Sequence, residues 1–215
     1  MNKKDISILV ADDHPMLLKG LTDELKVHEY KVLDGALNGA QALDSIVEEK
    51  PMIAILDIEM PLLSGFEVIK KCSKKELPTK FIILTSHKEK AFVLKAKKLN
   101  ISGYLLKDEP FAEIEACINA VVKGENYFSN TFDHIFTTQI SPELEKIKFL
   151  SPSERTIVRL IAQEKTSKEI GELLSISHRT VQKHRANIIS KLDLPPTMDA
   201  LTVWTSENKE LLLNI

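Results

Sequence analysis

The chain has 215 residues, 43% of them hydrophobic, with 29 Lys and Arg against 31 Asp and Glu. That suffices for one large domain or two small ones, and no apolar run approaches the roughly 20 residues of a membrane span. The polar opening and the early pair Asp12-Asp13 argue against a secretory leader. The isolated cysteines Cys72 and Cys117 point to reduced thiols in a cytoplasmic protein, with no metal-ligand spacing.

Residues 1–124 alternate strand-like and helical patterns. Ile6-Ser7-Ile8-Leu9-Val10-Ala11 runs into Asp12-Asp13, and a helical pattern follows near 15–28. A second strand is predicted near 31–36 and a helix near 39–49. Met52-Ile53-Ala54-Ile55-Leu56 ends at Asp57, and the chain leaves through Ile58-Glu59-Met60-Pro61 to a helix near 65–75. Phe81-Ile82-Ile83-Leu84 runs into Thr85-Ser86 before a helix near 88–98. Gly103-Tyr104-Leu105-Leu106 runs into Lys107, a helix follows near 110–123, and Gly124 is a C-cap. This alternation predicts a five-stranded parallel sheet with helices on both faces. Right-handed crossovers put all strand carboxyl ends on one edge, where such sheets bind ligands.

Taken singly, a strand-end aspartate is more often a cap or turn former. Three aspartates, a threonine and a lysine at the ends of four strands carry more weight. Phosphoryl transfer needs a nucleophile, a divalent cation and neutralisation of the non-bridging oxygens. Asp57 can form an acyl phosphate. Asp12, Asp13 and Asp57 repel one another unless a cation joins them, and hard carboxylate oxygens suit Mg2+. Lys107 and Thr85 can pair with phosphate oxygens.

From 125 to 148 the pattern weakens at Asn126, Ser129-Asn130, Thr137-Thr138 and Ser141-Pro142, which reads as a linker. Residues 149–215 read as a small all-α domain of four helices. Ser151-Pro152-Ser153-Glu154 and Thr166-Ser167-Lys168-Glu169 are capping boxes, and Ser177 caps a third helix through Thr180. Pro195-Pro196 ends that helix and begins a fourth. Helix, short turn and helix between Glu169 and Leu192 make a helix-turn-helix, with no acid between Glu172 and Asp193. If Val181, Ile188 and Leu192 are buried, the opposite face at about 100° per residue carries Arg179, Gln182, Lys183, Ala186 and Ser190. Long donors beside small residues suit a major groove. Thr180, His184, Arg185 and Lys191 flank that face, within reach of phosphates or of neighbouring helices.

Asp12-Asp13-His14, Asp57-x-x-Met60-Pro61 with Gly65, Leu84-Thr85-Ser86 and Gly103-Tyr104-Leu105-Leu106-Lys107 together resemble the receiver domain of bacterial two-component response regulators. The resemblance implies a flavodoxin-like doubly wound fold, phosphorylation of Asp57 by a histidine kinase, and Mg2+ as cofactor. It also implies metal binding by the main-chain carbonyl of Glu59, and Thr85 with Tyr104 as a switch pair. Asp108 stands where many receivers carry proline. Leu150-Ser151-x-x-Glu154-Arg155, Thr166-Ser167-Lys168-Glu169-Ile170, Ile176-Ser177-x-x-Thr180-Val181-x-Lys183-His184 and Asn187-Ile188-x-x-Lys191-Leu192, within about 149–205, look like the LuxR-type helix-turn-helix, so the whole chain resembles a NarL/FixJ-type transcriptional regulator. That implies double-stranded DNA as a partner, the helix near 178–191 in its major groove, and a homodimer when phosphorylated or DNA-bound. Dimer contacts would fall on the last helix, about 196–205, where Leu201 and Trp204 would serve, with a core role as the alternative for Trp204. Gln182 replaces a lysine common in the family, so base preference does not carry over. The resemblance divides the chain into a receiver at 1–124, a linker at 125–148 and a DNA-binding domain at 149–215.

The nearest enzymatic alternative is a haloacid-dehalogenase-type phosphatase. It needs a second Asp two residues after the nucleophile, where this chain has Glu59, and its acidic pair comes last rather than first. The expected role is therefore that of a switch and not of an enzyme. A third alternative, a helical domain that binds protein instead of DNA, is separable by the salt dependence of DNA binding.

Overall fold

Strands buried on both faces need helices on both sides. Ser7–Ala11 (β1), Ile53–Leu56 (β3) and Gly103–Leu106 (β5) are buried along nearly their whole length. Lys80–Thr85 (β4) is exposed only at its first residue and completes the centre of the sheet. The computed structural model describes residues 2–197 and 199–213, the side chains of Gln139 and Ser141 excepted. It divides into two compact units, Met1–Phe136 and Thr137–Ile215.

In the first unit the strand order is β2-β1-β3-β4-β5-β6, with every pairing parallel. β2 is Lys31–Val32 and β6 is Tyr127–Phe128. The order reverses direction between β1 and β3, and the carboxyl ends beside that switch point form the ligand edge of such sheets. Helices Pro15–Val27 (α1) and Phe111–Val122 (α5) share one face, where Leu18, Leu25, Ile114 and Ile118 pack on Val10, Ile55 and Leu105. Gly39–Glu49 (α2) packs against Gly65–Ser73 (α3). Lys90–Lys98 (α4) follows β4. Fully burying each Leu or Ile contributes about 1.5–3 kcal/mol, so the strand that delivers Asp57 is held rigidly.

The sheet has six strands, not the five expected. Tyr127 N–H donates to Ser102 O at 2.9 Å and Ser129 N–H to Tyr104 O at 3.0 Å, adding β6 beside β5. A two-residue strand is too short to show alternation, so it was hidden in the span read as a linker. That span also holds Asn130–Ile135 (α6), a π-helical turn over Phe136–Ile140, and Ser141–Lys148 (α7). The predicted second strand shrinks to Lys31–Val32, with Ala36 rejoining β1 through a single bridge to Ala11.

In the second unit, Pro152–Ala162 (α8) and Ser167–Leu174 (α9) each open on a complete capping box. His178–Lys191 (α10) is capped by Ser177, whose Oγ accepts from Thr180 N–H. Ser175, at φ 55°, turns the chain between α9 and α10. Gly171 lets that turn close: a Cβ there would lie 2.9 Å from Ile176 O. The helix read at 196–205 instead runs Ala200–Glu207 (α11), and a further helix, Lys209–Leu213 (α12), makes five after residue 149 among the described residues. The break falls at Asn208, whose side-chain amide donates to Trp204 O at 2.9 Å. Residue 198, inside the predicted range, lies outside the described residues. Leu201 and Trp204 are buried within the unit, and Trp204 Nε1–H donates to Glu143 Oε2 at 2.8 Å. They belong to its core, not to a surface free for a dimer.

Candidate functional site

The carboxyl edge of the sheet brings the sequence-predicted acids together. Asp12 follows β1 and Asp57 follows β3, and both are buried, at 5% exposure each. Lys107, the residue after β5, places Nζ 2.7 Å from Asp12 Oδ2 and 2.8 Å from Asp57 Oδ2. Its backbone N–H donates to Thr85 O at 2.9 Å, which ties β5 to the end of β4. Asp57 Oδ1 accepts Ile58 N–H at 2.7 Å. Asp12 Oδ1 accepts His14 N–H at 2.9 Å. Gly65 admits the loop after β3: a Cβ there would lie 2.2 Å from Asp57 O, so only glycine lets α3 begin against the backbone that carries Asp57.

Burial pushes the Asp57 carboxyl above the usual range, and the hydrogen bond and charge of Lys107 offset only part of that rise. Burial alone would lower the Lys107 ammonium, but its bonds to Asp12 and Asp57 outweigh this and hold it above its ordinary value. A less solvated carboxylate is the stronger nucleophile, and a lysine fixed beside it is positioned for a phosphate oxygen.

Asp12, Asp13, His14 and Asp57 offer ligand atoms all within 4.8 Å of one another. Asp13 Oδ1 is buried and makes no hydrogen bond, with His14 Nδ1 2.8 Å away as an ion-pair contact. An orphaned carboxylate oxygen among two further carboxylates fits a hard divalent cation. His14 was legible only as part of a motif, and its approach to both aspartates went unread. The Glu59 side chain is exposed and meets His87 Nε2 at 3.2 Å.

Thr85 is fully buried, and its Oγ1 accepts His87 N–H at 3.2 Å. Tyr104 is buried and donates its hydroxyl to His87 O at 3.0 Å. Burial first, then the charges of Glu89 and Asp57, push its phenol far above the ordinary value, so it stays a donor. His87 had no sequence signal, because its part is played by backbone atoms.

On α10 the structure exposes Arg179, Gln182, Lys183 and Ala186, with Thr180 and His184 half-buried beside them. Gln182 Nε2 lies 3.4 Å from both Ser167 Oγ and His178 Nε2, two neighbours the sequence reading missed. Two flanking cations also touch neighbouring helices while Lys191 stays exposed and Arg185 half-buried. Lys191 Nζ sits 2.7 Å from the buried Glu154 Oε2, and Arg185 Nη2 donates to Thr202 Oγ1 at 3.3 Å. Of the two reaches read from the sequence, phosphates or neighbouring helices, these contacts are with the neighbouring helices α8 and α11. Burial lowers the Arg185 guanidinium pKa.

A doubly wound parallel sheet with acids and a lysine at one edge, followed by a helix-turn-helix unit, is the architecture of a receiver linked to a nucleic-acid-binding module. The chain matches the response regulator receiver domain family over residues 8–119 and the luxR family of bacterial regulatory proteins over 148–203. It is 34% identical over 199 residues to the uncharacterized transcriptional regulatory protein YvfU of Bacillus subtilis, covering 92% of this chain and 96% of that one. It is 31% identical over 198 residues to the transcriptional regulatory protein DesR of the same organism, covering 92% and 95%. A DNA-binding response regulator of the LuxR family from Staphylococcus aureus shares 35% identity and a TM-score of 0.53 over 54% of this chain and 98% of that one. The RcsB response regulator of Salmonella typhimurium, at 22% identity and a TM-score of 0.70 over 94% and 99%, shares the fold. The chain belongs to the NarL/FixJ-type response regulators, the DNA-binding transcriptional regulators of two-component systems. Among the described residues no helix is long and apolar enough to cross a membrane.

Proposed function

We propose that Asp57 is the phosphoacceptor, that Asp12, Asp13 and Asp57 hold a magnesium ion with the main-chain carbonyl of Glu59, and that α10 reads double-stranded DNA. The observation that carries this is the placement of Asp57 Oδ2 and Asp12 Oδ2 on one lysine, beside the orphaned Asp13 oxygen. In this reading 1–124 is the receiver and 149–215 the DNA-binding domain, working in the cytoplasm.

The phosphoryl donor is a phosphohistidine of a partner kinase. An Asp57 carboxylate oxygen forms the new P–O bond as the donor's P–N bond breaks, and the donor imidazole keeps the bonding pair. Bound magnesium supplies charge neutralisation for the phosphoryl oxygens. Lys107, already 2.8 Å from Asp57 Oδ2, pairs with one phosphoryl oxygen, and the Thr85 hydroxyl donates to another. The added group carries roughly two negative charges. Any state that pairs them better gains population, and the state that does so is the one that dimerises and binds DNA.

The test is incubation with acetyl phosphate and Mg2+, read by intact mass and by DNA binding. One phosphoryl group is expected on the wild type and none on Asp57→Asn, with tighter DNA binding only in the former. Full labelling of Asp57→Asn at another aspartate would sink the assignment.

A further inference from the structure

The hydrogen bonds that leave the phosphoacceptor edge do not stop at Tyr104. Thr85 Oγ1 holds His87 N–H, His87 O holds the Tyr104 hydroxyl, and the Tyr104 ring meets the Phe132 ring at 4.8 Å between centroids, tilted 46°. Phe132 comes from α6, beyond the last receiver helix, and is 2% exposed. It is brought there by β6, through Ser129 N–H on Tyr104 O and through Ser129 Oγ, which accepts Phe132 N–H and caps α6. Phe128 stacks on Phe132 at 4.7 Å. Lys97 of α4 places Nζ 4.1 Å from the Phe128 centroid, 5.4 Å from that of Phe132 and 4.8 Å from that of Phe136. Three ring faces around one ammonium form a cage of the kind that holds cations by the ring quadrupole.

We infer that residues 127–136 are a working part of the switch: Phe132, clasped by Lys97, is a positioning residue that sets the side-chain state of Tyr104 and so couples this segment to phosphorylation. This rests on Asp57 being the phosphoacceptor. A phosphoryl group at Asp57 offers Thr85 an acceptor. Thr85 then fixes the loop through His87 N–H, and His87 O fixes the Tyr104 hydroxyl. Phe132 packs against the Tyr104 ring, so a change in the Tyr104 rotamer alters the packing of Phe132. Phosphorylation therefore favours the closed arrangement of Thr85, Tyr104 and Phe132, and residues 127–136 tighten with it. A ligand shifts an equilibrium only through differential contacts with its two states, and the differing contact here is the one the phosphoryl group adds at Thr85.

Hydrogen–deuterium exchange on the full chain, with and without acetyl phosphate and Mg2+, tests this, each reading being normalised to the labelled fraction by intact mass. The wild type should show several-fold slower exchange across 127–136 once phosphorylated. Lys97→Met, which removes the charge and keeps the length, should lose most of that slowing, and Lys97→Arg should restore it. Phe132→Leu and Tyr104→Phe should each uncouple the segment. Thermal midpoints of the unmodified proteins separate this from simple destabilisation, since Lys97→Met and Lys97→Arg should melt alike. If labelled wild type shows no change across 127–136, or labelled Lys97→Met and Tyr104→Phe slow as the wild type does, the inference is wrong while the phosphoacceptor assignment stands. No label on the wild type would remove both.

Discussion

At the scale of the residue, the acidic edge is built against its own stability. Asp12 and Asp57 share a single ammonium, Lys107, while Asp13 lies beside them with one oxygen that has no hydrogen bond. Removing one of these charges relieves repulsion, so Asp13→Asn should stabilise the metal-free protein by roughly 1 kcal/mol, read by urea unfolding in chelator. The same change should cut the rise in melting temperature that Mg2+ gives the wild type, because a cation that binds only the folded state stabilises it by mass action. Equal Mg2+ shifts in both proteins would contradict the metal assignment. On α10, the Gln182 amide lies between Ser167 and His178, while Lys183 is exposed. Lys183→Ala should cost about 1–3 kcal/mol on the best site and relax the selected base. Selection from randomised DNA that returns an unchanged motif and affinity would remove Lys183 from the groove.

At the scale of the element, the contact between α8 and α10 rests on Glu154. Its carboxylate closes the capping box at Ser151 and accepts from Lys191, with its side chain 4% exposed. Lys191→Ala should therefore lower the stability of the second unit by about 1.5 kcal/mol and leave the salt slope of DNA binding unchanged. A loss of slope near one with no loss of stability would return Lys191 to the DNA backbone. Burial alone would raise the Glu154 pKa, but the bonds from Lys191 and Ser151 win and hold it low. A depressed carboxylate stabilises the fold above the pKa it has when unfolded, about 4.3, and that share is lost as the pH falls through the lower, folded value. Glu154→Gln should flatten the acid limb of the unit's stability curve, and an unchanged limb would dismiss the coupling. These caps were legible in the sequence because a capping box spans only four residues. The Lys191–Glu154 pair was not, because its partners are 37 residues apart. β6 was hidden by its length, and the start of α11 at Ala200 was masked by the strong stop signal of Pro195-Pro196. The edge acids were legible because the strand pattern fixes which residue ends each strand. The backbone part played by His87 was not, because any residue type could supply it.

At the scale of the whole molecule, the chain is two compact units, and the acidic cluster proposed to hold Mg2+ lies wholly in the first. Calorimetry should resolve two transitions, only one of them raised by Mg2+, because a ligand stabilises the cooperative unit that binds it. A single transition that moves as a whole would show that the units unfold together. A homodimer on DNA also requires two half-sites separated by about one helical turn or a multiple of it, so shifting the spacing by half a turn should abolish cooperative binding.

The outermost strands of the sheet, β2 and β6, are each two residues long. Exposed strand edges are templates on which other chains polymerise, and natural proteins blunt them by keeping them short. Wherever copies of a chain meet at high local concentration, a long naked edge would nucleate fibrils. With edges this brief, copies of this chain that meet have almost no backbone ladder to extend, so crowding need not end in aggregation.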